Sequence, residues 1–191
     1  MTDGPDDGHD PRSMLLVVDV QNGFVNEHTR HVIEPINRLI STFSERGEPV
    51  AFTRFVNTPD SGYQRWIGWT RFMGGPENDL YEAIDAGAGP VFVKHGYTAF
   101  TTEFENYFRE RQLERLVLCG IATDGCILKS AVDAFERGIE PVVVTDACAS
   151  HGGREIHEAG LLLLGRFIGT RQLTSVAEFV QASGTCETKC D

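Results

Sequence analysis

The chain has 191 residues, 41% of them hydrophobic and 24% charged, the balance of one soluble domain with a sizeable core. Its net charge of -11 repels phosphates and anionic lipid, which argues against nucleic acid or a membrane surface as partner. No apolar run nears the roughly 20 residues that cross a bilayer, so a membrane protein is excluded.

Residues 1–12 hold four aspartates, two glycines and two prolines and can bury nothing, so a disordered acidic leader is expected. They lack the basic and apolar regions of a secretory signal, which places the protein in the cytoplasm. A single domain is expected over 13–183. It opens with MLLVVDV from Met14, a continuous β-branched run. Val32, Ile33, Ile36, Leu39, Ile40 and Phe43 then mark one face of a helix, with Pro35 near its start and Gly47 at its close. PVAFTRF (49–55) is a second apolar run. The irregular stretch from Asn57 to Gly75 carries Tyr63, Trp66, Trp69 and Phe72, which can line a pocket, cover it, pack a subunit interface or simply pack on the domain. Pro76 opens a predicted second helix with Leu80, Ala83 and Ile84 facing inward.

After the third run, PVFVKH (90–95), a helix is predicted from Thr102, with Glu105 completing a capping box and Phe104 and Phe108 buried. RLVLCGI (115–121) precedes a helix from about Asp124, with Ile127, Ala131, Val132 and Phe135 facing inward before Gly138. PVVVTDA (141–147) precedes a helix from roughly Arg154 to Leu164, and a shorter run lies between Ile168 and Leu173. Ser175 and Glu178 form a second capping box for the last helix, whose Val176, Phe179 and Val180 face inward. Residues 184–191 read as a solvated tail; a metal or redox role for its Cys186 and Cys190 is the other reading. Apolar runs without alternation suit strands buried on both faces, and their alternation with helices means βαβ units. The fold class is therefore α/β, a parallel sheet between two helical layers.

Five cysteines, an odd number without a signal segment, argue for a reducing compartment rather than a disulfide framework. Ligands of open parallel sheets bind at the carboxyl ends of the strands. Those ends supply Asp19, Arg54, Lys94 with His95, Gly120 with Cys126 just beyond, and Asp146. Cys126 lies in the first turn of a helix with Thr123 or Asp124 as N-cap, where free N–H groups favour a thiolate and can bind an oxyanion. Lys94 adds to that, and Asp19 can take the thiol proton. Cys119 and Cys148 read as core, Asp146 as a cap on backbone amides, and His151 and His157 as helix-end or surface residues. Neither phosphate-binding glycine loop nor the GxSxG elbow is present, and no cofactor is expected.

LLVVDVQNGF, VKHGYTAF and LVLCGIATDGCILKSAVDAFERGIEPVVVTDACAS, in that order, resemble the isochorismatase-like cysteine hydrolases over about residues 14–180. The resemblance implies Asp19 as general base and acid, Lys94 as its electrostatic partner and Cys126 as nucleophile. It implies a cis peptide between Ile121 and Ala122, with the Ala122 and Cys126 N–H groups as oxyanion hole. It also implies a six-stranded parallel sheet in the order 3-2-1-4-5-6 and a homo-oligomer, dimer or tetramer. The nicotinamidase branch holds a metal through an aspartate-x-histidine after its second strand; TRFVNTPDSGYQRW here has no histidine, so no metal is expected. A thiol at 126 points to cleavage of a small amide, ureido or carbamoyl compound. Vinyl-ether hydrolysis, a non-catalytic metabolite-binding role and a redox sensor using Cys126 with Cys119 or Cys148 are the alternatives. Phe24, Arg54, Trp66 and Trp69 are the expected substrate-binding residues, and Arg54 or Arg71 either grips a substrate carboxylate or makes surface ion pairs.

Overall fold

The computed structural model describes residues 11–184. Most of the expected leader and the Cys186/Cys190 tail lie outside these residues. Pro11 and Arg12, counted with the leader, are inside, and Arg12 is anchored: its N–H donates to Glu114 Oε2 at 3.1 Å.

Six parallel strands lie in the order β3-β2-β1-β4-β5-β6. They are β1 (Ser13–Val18), β2 (Val50–Phe55), β3 (Val91–Lys94), β4 (Arg115–Ile121), β5 (Glu140–Ala149) and β6 (Leu173–Thr174). All six residues of β1 are buried, as a strand covered on both faces requires. The chain builds one half of the sheet outward from β1, then returns to β4 and builds the other. β1 and β4 therefore part company at a topological switch point, where their carboxyl ends leave a crevice. Val18 pairs with Gly120 there, setting Asp19 beside the Ile121–Ala122 link.

Helices α1 (Ile33–Glu45), α3 (Thr102–Glu110), α4 (Leu128–Glu136), α5 (Arg154–Phe167) and α6 (Val176–Gly184) flank the sheet; the short α2 (Gly62–Ile67) lies in the connection after β2. No helix among the described residues is long and apolar enough to cross a membrane. α1 buries Ile33, Ile36, Leu39, Ile40 and Phe43, the face its spacing marks. Ser175 and Glu178 cap α6 reciprocally: Glu178 N–H donates to Ser175 Oγ at 3.2 Å, and Ser175 N–H to Glu178 Oε2 at 2.9 Å. Asp146 Oδ1 accepts the Val176 N–H at 2.8 Å, an aspartate spent on capping rather than chemistry.

Several expected elements differ. α3 is capped by Thr101, whose hydroxyl accepts the Phe104 N–H at 3.3 Å, while Glu105 is drawn to Arg137 instead. No helix follows Pro76 beyond the single turn Pro76–Asn78. The backbone of residues 79–81 is taken by the loop after β1: Asn22 N–H donates to Asp79 O at 2.9 Å and Tyr81 N–H to Val20 O at 2.8 Å. A helix cannot offer those groups sideways. Conversely, the stretch expected to be irregular contains α2, capped by Ser61 and closed by Gly68 in the left-handed region. Phe135 is 53% exposed, since α4 packs through Ser130, Ala131 and Ala134.

Candidate active site

Three strand ends converge on the crevice. Asp19 follows β1 with φ 48°, a left-handed conformation that aspartate tolerates better than most side chains. Thr53 on β2 fixes the result twice: its hydroxyl donates to Asp19 Oδ1 at 2.7 Å and accepts the Asp19 N–H at 3.1 Å. Gln21 ties the neighbouring loops together by donating to Phe55 O and Asn78 O, both at 2.8 Å. Lys94 ends β3. Its Nζ lies 2.7 Å from Asp19 Oδ2 and donates to Cys126 Sγ at 3.2 Å and to Gly96 O at 2.8 Å.

Cys126 arrives by a tighter route. Gly120 has φ +121° and sits so close to β1 that a Cβ would lie 2.2 Å from Val18 O; only glycine fits. The Ile121–Ala122 peptide is cis. Next comes a single π-turn, Thr123–Ile127, in which the Gly125 and Ile127 N–H groups both donate to Ala122 O at 3.1 Å. The N-cap position belongs to Ala122 and has no side-chain cap, in contrast to the expected Thr123 or Asp124. Thr123 is instead engaged sideways, its Oγ1 2.8 Å from His157 Nδ1 on α5. α5 also presses on this turn at Gly160, where a Cβ would meet Asp124 N at 2.8 Å. Gly160→Ala is therefore expected to displace the turn. We expect the overpacking to cost about 1–3 kcal/mol, a Tm lower by roughly 2–12 °C in thermal unfolding.

The electrostatics are those of a buried, mutually compensated triad. Asp19 is 0% and Lys94 1% exposed, so each is the counter-charge that the other's burial requires. Burial alone would lower the Lys94 pKa, but the negative charge of Asp19 and the sulfur of Cys126 outweigh it and raise it. Burial, and then the charge of Asp19, push the Cys126 thiol up to about 12, against the opposing pull of Lys94. The resting sulfur is thus a thiol beside a buried carboxylate. Cys119 and Cys148 are core residues at 0% and 1% exposure, and burial holds both thiols protonated.

Above Cys126 opens a cavity of about 250 Å³ lined chiefly by aromatic rings: Phe24, Phe55, Tyr63, Trp69 and Tyr97, with Ala122, Asp124 and His151. Two of the expected substrate-binding residues, Phe24 and Trp69, lie there with rings 6.3 Å apart. The other two do not. Arg54 stands between Thr53 and Phe55, which face the site, so strand alternation turns it to the other side; its Nε is buried without a partner. Trp66 is 81% exposed on α2, under the guanidinium of Arg65. Arg71 pairs with Glu77 at 3.1 Å, the surface reading rather than a carboxylate grip within the cavity.

Tyr97, Asp124 and His151 were missed as lining residues. His151 packs on Phe24 with centroids 5.1 Å apart, and burial lowers its pKa, so it faces the cavity neutral. Its place just beyond the end of β5 was the available signal. Among the described residues no three His, Cys, Asp or Glu side chains converge to hold a metal ion.

The Isochorismatase domain model matches residues 13–173. The chain is 30% identical over 186 residues to the isochorismatase family protein PncA of Bacillus subtilis, covering 84% of this chain and 98% of that protein. It is 28% identical over 209 residues to ureidoacrylate amidohydrolase RutB of Methylobacterium radiotolerans, covering 90% of this chain and 80% of that one. The crystal structure of a nicotinamidase, PncA from Bacillus subtilis, superposes with a TM-score of 0.75 at 28% identity, covering 86% of this chain and 99% of the other.

Proposed function

Because the chain belongs to the isochorismatase family, we propose that it hydrolyses the C–N bond of a small amide, ureido or carbamoyl compound, with Cys126 as nucleophile. The observation that carries this reading is the Lys94 ammonium standing between Asp19 Oδ2 and Cys126 Sγ, at 2.7 and 3.2 Å, on the floor of a cavity. Relatives named for nicotinamide and ureidoacrylate hydrolysis support the bond type without fixing the substrate.

Asp19 accepts the thiol proton as Sγ bonds to the substrate carbonyl carbon. A thiol this hard to ionise loses its proton in that step rather than beforehand. The carbonyl oxygen takes up the charge, which the Ala122 and Cys126 N–H groups receive; each such donor contributes ~3–4 kcal/mol at comparable sites. Asp19 returns the proton to the departing nitrogen, the C–N bond breaks and a thioester remains. Asp19 then takes a proton from water as its oxygen attacks the thioester carbon. The C–S bond breaks, the acid product leaves and the proton returns to sulfur. Lys94 holds the carboxylate in place throughout, and no step requires a metal.

Cys126→Ala tests this directly. Ammonia release from a panel of small amides and ureido compounds is expected to fall at least about 10⁴-fold. The fold should persist, with a Tm change within about 4 °C, since only one sulfur atom is removed. Ammonia release surviving in a folded Cys126→Ala protein would overturn Cys126 as the nucleophile.

A further inference from the structure

We propose that the cavity over Cys126 selects substrates whose non-reacting end is cationic and rejects those ending in a carboxylate. The inference rests on the hydrolase reading only in taking Cys126 as the reacting atom.

Three independent features meet here. The wall is a cage of rings from separate elements, in mutual contact: Tyr63 lies 5.1 Å from Phe55, 5.1 Å from Tyr97 and 5.8 Å from Trp69, centroid to centroid. Ring faces attract cations, and anions gain nothing from them. The single carboxylate that lines the cavity beyond the triad is Asp124, which is exposed and has no ion-pair partner among the described residues. Finally, no lysine or arginine among the described residues lines the space. Lys94 is neutralised by Asp19, Arg71 by Glu77, Arg54 lies on the other side of the sheet, and burial keeps His151 neutral. A substrate carboxylate would enter an apolar cage beside Asp124 with nothing to pair it, a desolvation without return. An ammonium or amidinium group would find ring faces and an unclaimed carboxylate. The net charge of -11 draws the same cations from solution.

The test needs no knowledge of the natural substrate, because Cys126 itself reports the potential in the cavity. Three methanethiosulfonates of similar size, carrying trimethylammonium, no charge or sulfonate, are reacted with native protein at neutral pH. The modified cysteine is identified by peptide mass, and each rate is divided by that with a small free thiol. The cationic reagent is expected to exceed the anionic one by about tenfold or more. Asp124→Asn is expected to cut that ratio about three- to tenfold and Asp124→Lys to reverse it. An anionic reagent as fast as the cationic one, or a ratio indifferent to Asp124, overturns the proposal. Failure of all three reagents to modify Cys126 overturns the nucleophile assignment instead, and the proposal with it.

Discussion

Replacing Asp19 by Asn is expected to stop turnover while making Cys126 easier to alkylate. The two effects separate because Asp19 has two influences on the sulfur. As a charge, it is the second cause, after burial, of a thiol pushed up to about 12, and Lys94 opposes it. Asparagine removes that charge and leaves the ammonium 3.2 Å from sulfur with no competing anion. The Cys126 pKa then falls, more thiolate exists at pH 7–8, and iodoacetamide should react about tenfold faster or more. In the proposed mechanism, however, Asp19 also acts as base and acid, carrying a proton from sulfur to the leaving nitrogen and later from water to sulfur. Asparagine carries none, so kcat/KM is expected to fall about 10²–10⁴-fold. Parallel alkylation and ammonia-release assays across pH 6–10 check both halves. If alkylation slows in step with turnover, Asp19 deprotonates the sulfur toward every electrophile and its charge is the lesser influence.

The largest effect on stability is expected from Lys94→Met. The methionine fills similar volume but leaves the Asp19 carboxylate, wholly enclosed, without its counter-charge. Thr53 still donates one hydrogen bond to Oδ1, and that single bond is no substitute for an ammonium. Breaking a buried pair by removing one member costs about 3–5 kcal/mol. For a chain of this size that is a Tm lower by about 6–20 °C. The double variant Asp19→Asn/Lys94→Met removes both charges and should regain more than half of the loss. Thermal unfolding of the two variants beside the native protein measures it. A double variant as unstable as Lys94→Met alone would mean that the loss comes from packing rather than from the orphaned charge. Both variants should be inactive.

The parallel sheet was legible from strong local signals, and its strand order from the resemblance to the isochorismatase-like hydrolases. Unbroken apolar runs announce buried parallel strands, and a polar residue that ends such a run can only lie at the sheet edge. Asp19 and Lys94 are two such endings and Cys126 lies just beyond a third, and the fold brings Asp19 and Cys126 within bonding distance of the lysine. What stayed hidden depends on partners distant in sequence. The helix expected after Pro76 is undone by bonds with Asn22 and Val20, 57 and 61 residues away, which no periodicity reveals. Thr123 looked like a cap and is instead engaged by His157, 34 residues on. Arg54 ends a strand as Asp19 does, but one residue of phase decides which face a side chain takes, and Thr53 and Phe55 have the face toward the site. Trp66 and Trp69 are three apart, and the turn of α2 sends one to solvent while the other, just past its end, packs in the cage.

The split of the sheet at β1 and β4 has a consequence for the chain during its synthesis. Asp19 and Lys94 belong to the half made first, Cys126 and the α5 residues that brace its turn to the half made last. A ribosome-bound chain can therefore close the carboxylate–ammonium pair while the sulfur is still untranslated. Cys126 meets Asp19 only when β4 docks against β1. The proposed hydrolysis thus requires both halves, and its first appearance in a translating or refolding sample would time their docking.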